Sequence, residues 1–383
     1  MNYSNNNLVV FFLLVRVGLF GRTDGTEKLQ LQDVDWAEVY ELAKEQSVMG
    51  LVAGGIETLL HGEPTTNDKQ LVPKEWAKKF ASATMRLEQR NKNMNQFIAQ
   101  LITRLKKRDI HTFLLKGQGV AQCYEKPLWR TCGDVDLLVW GDNYQKAKDF
   151  LGSYASHSGK EHPYKKHLDM TISGWTVELH GNLRCGYSAR IDNVLDKICA
   201  KAFSSASLSG KTVTSWMDED IEVPVLGRED NVLYVFVHFM NHFYKGGVGI
   251  RQICDWCRLL WTFRGSIDTA ALEQQLKRMG LMSEWRTFGA YAVEHLGMPR
   301  EAMPFYSVDE KWRRKTRRIQ QFILMTGNMG HNRNMNHNKL PFLKRKIEST
   351  TQRIHDLANH LMIFPLDTVR FLPGIFINGL RQK

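Results

Sequence analysis

The chain has 383 residues, 43% of them hydrophobic and 24% charged, and a formal net charge of +12 from 52 basic and 40 acidic side chains. That composition excludes a disordered chain, a collagen-like repeat and a small disulfide scaffold; the length allows two or three domains, or one elaborated core. The basic excess fits partners that carry phosphate, nucleic acid or anionic lipid, without choosing among them.

"LVVFFLLVRVGLF" (Leu8–Phe20) is 13 residues long and interrupted by Arg16. A transmembrane helix needs about 20 apolar residues. A signal peptide needs positive charge before the apolar run and a small-residue cleavage site after it. The stretch therefore predicts a buried first helix, with no transmembrane segment. "DVDWAEVYELAKEQSVMGLVAGGIETLL" continues the helical pattern with Asp35 as N-cap. A long helix is predicted from about Lys74 to Arg108: Met94, Phe97, Ile98, Leu101 and Leu105 form one stripe, and Arg90, Lys92 and Arg104 lie off it. Residues 1–105 read as a helical N-terminal region.

Residues 106–226 have a different texture. "HTFLLKG" (His111–Gly117) is a short strand ended by glycine, followed by a short helix that Pro127 closes. "DVDLLVW" (Asp134–Trp140) is a second strand, and Asp142–Tyr154 an amphipathic helix. "HLDMTISGWTVELHGNL" holds two strands broken at Ser173–Gly174, and "EDIEVPVLG" a further extended stretch. From residue 227 to 383 the chain is helical again. The fold class is α+β: a small mixed β-sheet core flanked by helical N- and C-terminal regions.

Two aspartates open the strand "GDVDLLVW". Alternation puts Asp134 and Asp136 on one face and Val135 and Leu137 on the other. Adjacent carboxylates repel, and a divalent cation removes the conflict. Mg²⁺, with Mn²⁺ as the alternative, takes such oxygen ligands and keeps positions open for phosphates. In "WTVELHG" Glu178 and His180 share a face, so Glu178 can supply a third carboxylate for a two-ion site. Asp169 in "HLDM" is the alternative third acid. His180 serves either a phosphate contact or a structural hydrogen bond. Lys116 and Gly117 sit at a strand-to-helix turn, where glycine lets backbone approach a phosphate and lysine adds a point charge. Arg130, four residues before Asp134, can brace a triphosphate or the acids; Gly133 lies between them.

"LLKGQGVAQCYEKPLWRTCGDVDLLV" resembles the polymerase-β-type nucleotidyltransferases, and more closely the bacterial group of uncharacterised nucleotidyltransferases. The resemblance implies metal-binding roles for Asp134 and Asp136 and a third-carboxylate role for Glu178. It implies phosphate or substrate contacts for Lys116, Gly117, Arg130, Gly133 and His180. Lys116–Gly117 stands where the superfamily has Gly-Ser, a departure that matches the closer group. "DWAEVYELAKEQSVMGL", "VFVHFMNHF", "GIRQICDWCRLL" and "ILMTGNMGHNRN" also resemble segments of that group.

Other features have plainer readings. His238 and His242 are four apart on a helix, a ligand spacing without a third ligand, and fit packing beneath a site. Arg251 and Asp255 fit an i,i+4 ion pair. "CDWC" (Cys254–Cys257) lacks a second cysteine pair and reads as ordinary thiols. The six scattered cysteines point to a reducing, cytoplasmic location. "KWRRKTRR" (Lys311–Arg318) reads as a solvated helix face, with a phosphate-rich partner or a membrane surface as alternatives. Gly327–Asn334 has the composition of a loop, binding or not. The apolar C-terminal stretch, with Pro365 and Pro373 breaking it, is expected to dock on the domain rather than lie on a membrane.

The function expected is metal-dependent transfer of an NMP group from an NTP to an unidentified acceptor: a small molecule, sugar, protein or RNA. The alternatives are a non-catalytic nucleotide- or RNA-binding protein, and a toxin-type enzyme that modifies a protein or tRNA.

Overall fold

The computed structural model describes residues 4–24, 33–61, 72–208, 214–218, 220–328 and 342–381. Four helices come first: α1 (Asn5–Phe20), α2 (Trp36–Glu45), α3 (Met49–His61) and α4 (Lys74–Lys106). Asp35 caps α2 as expected, its side chain accepting from the Ala37 and Glu38 amides. The apolar N-terminal stretch is a buried helix whose Val10, Phe11, Leu14 and Val15 are fully covered. It packs closely on α3, because a Cβ on Gly18 or Gly55 would collide with the Leu51 or Leu14 carbonyl. No helix among the described residues is long and apolar enough to cross a membrane.

The centre is a mixed sheet of seven strands in the order β3–β4–β5–β2–β1–β7–β6. The strands are β1 (Phe113–Leu115), β2 (Asp134–Leu138), β3 (His157–Ser158), β4 (His167–Ile172), β5 (Trp175–His180), β6 (Thr214–Asp218) and β7 (Ile221–Val225). β2 runs antiparallel to β1 and parallel to β5, and β4 and β5 form an antiparallel hairpin. Its turn is Ser173–Gly174, with φ of 51° and 81°; positive φ at both central residues matches the twist of a two-residue hairpin loop. Short helices α5 (Gly117–Ala121) and α6 (Asn143–Gly152) connect the strands. The helix α7 (Ala189–Leu208) is one the strand pattern of this region does not announce, although Ile191, Val194, Leu195 and Ile198 recur at helical spacing.

The sheet has two unlike faces. One packs Val135, Leu137, Val177 and Leu179 against Met94, Ile98 and Leu101 of α4 and Ala147 and Leu151 of α6. The other turns toward the helical body of α8 (Arg228–Lys245), α9 (Ile250–Phe263), α10 (Thr269–Met279), α11 (Met282–Leu296), α12 (Glu310–Thr326), α13 (Phe342–Ile363) and α14 (Pro365–Arg381). Phe236, Phe239, Trp256, Trp285 and Phe288 fill the centre of that body with edge-on and tilted ring contacts.

Cys254 and Cys257 are free and fully buried in the apolar body, where burial pushes both thiols up. Lys311, Arg313, Arg314, Arg317 and Arg318 lie on the exposed face of α12, with Trp312 and Thr316 turned inward. Pro365 begins α14, but Pro373 lies inside it, so the second proline does not end the helix as expected. α14 docks through Phe371, which meets Tyr187 and Tyr244. Of the Gly327–Asn334 loop, residues 329–334 lie outside the described residues. Gly327 caps α12, and the Asn328 amide donates to Ser47 Oγ at 2.9 Å.

One buried acid is expected to make the body's stability depend on pH. Glu284 is fully buried on α11, accepts from the Tyr244 hydroxyl at 3.1 Å, and is raised to about 8 by burial and by the charge of Asp367. A raised folded pKa stabilises below the unfolded value and loses that contribution as pH climbs through the folded one. Stability should therefore fall between about pH 4.5 and pH 8. Glu284→Gln, which needs no ionisation, is expected to raise the melting temperature by a few degrees at pH 8 and to change little at pH 4.5, equivalent to about 2–3 kcal/mol at neutral pH. Thermal melts across that range check it.

Candidate functional site

The acids lie on the face of the sheet opposite α4. On β2, Val135 and Leu137 anchor the strand from below, so the period of two sends Asp134 and Asp136 upward. Parallel pairing sets Asp136 directly beside Glu178 of β5. One carboxylate oxygen from each of Asp134, Asp136 and Glu178 falls within 4.8 Å of the others. They line a cleft of about 250 Å³ between the sheet and helices α8 and α9. Asp169 pairs with Glu178 across the hairpin, but its side chain is 60% exposed and meets His167 at 3.3 Å; it is not in the converging set of acids.

Lys116 and Gly117 form the opposite edge. Lys116 takes φ 47° and ψ −140°, a strained conformation for a residue with a side chain, and Gly117 follows at φ 44°. A Cβ on Gly117 would sit 3.2 Å from Cys132 Sγ, so the turn is both left-handed and crowded. The strain delivers the Lys116 ammonium to Asp136 Oδ1 at 2.7 Å, with His238 Nε2 at 3.5 Å. The helix after this turn spans only five residues, so its dipole is a small part of any anion binding there.

Electrostatics follow from burial. Asp136 is 1% exposed. Burial, with Glu178 and Asp134 beside it, raises its carboxyl to about 6 against the opposing charge of Lys116. Burial opposes charge on Lys116 too, but the surrounding acids, Asp136 foremost, outweigh it and raise its pKa. Glu178 goes the other way. Burial favours its neutral form, but hydrogen bonds from His167 at 3.2 Å and His180 at 3.5 Å, with Lys116 nearby, hold it well below the usual carboxylate range. His180 also reaches Asp136 Oδ1 at 2.9 Å; its bonds to both acids overcome burial and raise its pKa.

The remaining expected residues are placed less directly. Arg130 reaches the cleft wall but is committed to Asp255, donating from Nε and Nη2 at 2.7 Å each. Asp255 also accepts from the Tyr124 hydroxyl at 2.7 Å, and Arg251 is a weaker partner at 3.4 Å. The anticipated i,i+4 pair on α9 thus exists, subordinate to a longer-range one. Gly133 is exposed on the approach to β2, its carbonyl accepting from Arg90 at 3.4 Å, and it is outside the cleft lining. His238 and His242 line the cleft with their Nε2 atoms 3.0 Å apart, and burial, followed by the charge of Lys116, pushes both below the usual imidazole value. His167 was not singled out in the sequence. A signal was available: a two-residue turn at Ser173–Gly174 counts equal steps outward to pair His167 with His180.

None of the curated proteins matches the chain. A crystal structure of an antigenic nucleotidyltransferase-like protein from Paracoccidioides brasiliensis overlaps 49% of this chain and 90% of its own, with 12% identity and a TM-score of 0.28. The family described as uncharacterised nucleotidyltransferase matches residues 32–297, which takes in α2 through α11 and every residue of the acidic cleft. The chain belongs to that uncharacterised nucleotidyltransferase family.

Proposed function

We propose that the protein transfers an NMP group from an NTP to an acceptor hydroxyl or phosphate, releasing pyrophosphate. The observation that carries this reading is the convergence of Asp134, Asp136 and Glu178 on one point of a cleft whose other edge is Lys116–Gly117. The donor set is three carboxylates, one of them ionised strongly enough to stay anionic in the interior, which suits a hard divalent ion such as Mg²⁺ or Mn²⁺. Such an ion, when bound, would neutralise the phosphates and favour ionisation of the acceptor oxygen.

The chain's own residues do the rest. Asp134 and Asp136 supply oxygen ligands from one rigid strand, and Glu178 from its neighbour. The low pKa of Glu178 makes it a better ligand than proton acceptor. Lys116, held in reach by its strained backbone, supplies positive charge where a β- or γ-phosphate would lie. Arg130 acts by fixing α9 through Asp255, and His180 by orienting both Asp136 and Glu178. Holding the reactants in place accounts for much of the rate in such transfers. The free, buried cysteines accord with a reducing, cytoplasmic setting.

The test is incubation of the chain with each α-labelled NTP, Mg²⁺ and cell extract. Label should pass to one fraction of the extract and depend on the divalent ion. A second reading, nucleotide binding without transfer, is favoured by the Lys116 ammonium already on Asp136. Under that reading nucleotide binds equally well with chelator present and no label is transferred.

A further inference from the structure

The acidic cleft holds a second donor set of different chemistry. We propose that His167, Glu178 and His180 form a site for a nitrogen-seeking divalent ion of the Zn²⁺ or Co²⁺ class. The assignment shares Glu178 with the transfer site but does not rest on the transfer reading.

Geometry carries it. His167 Nε2, His180 Nε2 and a Glu178 oxygen all lie within 4.8 Å of one another. Both imidazole nitrogens converge on the same oxygen, Glu178 Oε2, at 3.2 and 3.5 Å. Two donors about 2.1 Å from a tetrahedral ion stand roughly 3.4 Å apart, so two edges of the polyhedron are already at the required length. As plain hydrogen bonds the two contacts need a proton on Nε2 of both rings, aimed at one oxygen. An ion between them uses the three lone pairs instead.

The scaffold is a paired hairpin. His167 and His180 face each other across the β4–β5 hairpin, and Glu178 is two residues before His180, on the same face. The rings stand 4.6 Å apart between centroids. Two neighbouring acids complete the surroundings: Asp136 Oδ1 lies 2.9 Å from His180 Nε2, and the exposed Asp169 Oδ1 lies 3.3 Å from His167 Nε2.

Ligand type sets the preference. Two imidazoles and one carboxylate suit zinc, cobalt or ferrous iron, whereas Mg²⁺ keeps to oxygen. Three protein ligands leave positions open, as in catalytic rather than structural sites. Because Glu178 belongs to both sets, occupancy of the histidine set governs how much negative charge remains for an ion on Asp134 and Asp136.

The experiment is Co²⁺ titration of the chelator-stripped full chain, read by visible absorption, with Zn²⁺ and Mg²⁺ as competitors. One equivalent should give ligand-field bands that Zn²⁺ erases and a thousandfold excess of Mg²⁺ does not. His167→Ala and His180→Ala should each weaken Co²⁺ at least tenfold, and Asp134→Asn should leave it within about threefold. Circular dichroism of the metal-free variants controls for folding. Where an alanine variant unfolds, His167→Gln or His180→Gln is read in its place. Bands that persist in both histidine variants, that disappear in Asp134→Asn, or that Mg²⁺ erases would overturn the assignment. The readout uses no nucleotide, so a chain that transfers nothing still answers this question.

Discussion

Asp136→Asn is expected to lower nucleotide incorporation by about 10³-fold or more while the chain stays folded. The size follows from what is removed. Asp136 is the buried member of the acid cluster, 2.7 Å from the Lys116 ammonium and 2.9 Å from His180. A divalent ion that loses a central ligand forfeits several kcal/mol of charge stabilisation, and each 1.36 kcal/mol is a decade in rate, so about 4 kcal/mol gives the figure above. Stability should move little, because two effects oppose. The neutral amide relieves burial of a charge and its repulsion with Glu178 and Asp134, and it deprives Lys116 of its nearest counter-charge. Label incorporation and a thermal melt on the same preparation check both halves. Turnover within threefold of the parent, in a folded variant, would sink the assignment of Asp136.

The second large effect is on stability. Arg130→Ala leaves Asp255 ionised in the interior with Tyr124 and the more distant Arg251 as partners. Arg130 and Asp255 side chains are 2% and 7% exposed, so the pair is buried, and breaking one side of such a pair costs about 3–5 kcal/mol. A melting temperature lower by roughly 4–6 °C is expected for a chain of this size. Burial alone would raise Asp255; the charge and bonds of Arg130 lower it. A lowered folded pKa contributes stability above the unfolded value and loses it as pH falls through the folded one. The gap between parent and Arg130→Ala should therefore be full while Asp255 is ionised in both, and should shrink as pH falls through the Asp255 pKa of the variant, which burial moves up once Arg130 is gone. Replacing both partners, Arg130→Met with Asp255→Leu, should recover most of the loss, since apolar substitutes leave no unpaired charge. A double variant no more stable than Arg130→Ala would show that the pair contributes through shape rather than charge.

How far the sequence carries differs from residue to residue. Local periodicity was enough for the first helix, the Asp35 cap, the strands around Lys116 and Glu178, and the upward aim of Asp134 and Asp136. Each depends on neighbours within one helical turn or one strand. Composition also bounded the charge, and the thiol count gave the expectation of free cysteines.

Tertiary structure decided what depends on non-local pairing. That β2 and β5 lie side by side, bringing Asp136 level with Glu178, is a parallel pairing across more than forty residues. No local pattern specifies such a register. The partner of Arg130 was equally out of reach, because Asp255 comes from a helix 125 residues later. His167 was the intermediate case: a short turn fixes its place opposite His180, yet only the assembled sheet brings both nitrogens onto one oxygen of Glu178. Sequence determined which side chains each element points toward the cleft. Strand pairing within the sheet determined which of them meet, with residues of α8 and α9 lining the other side of the cleft, because contact between distant segments is settled by burial and pairing rather than by period.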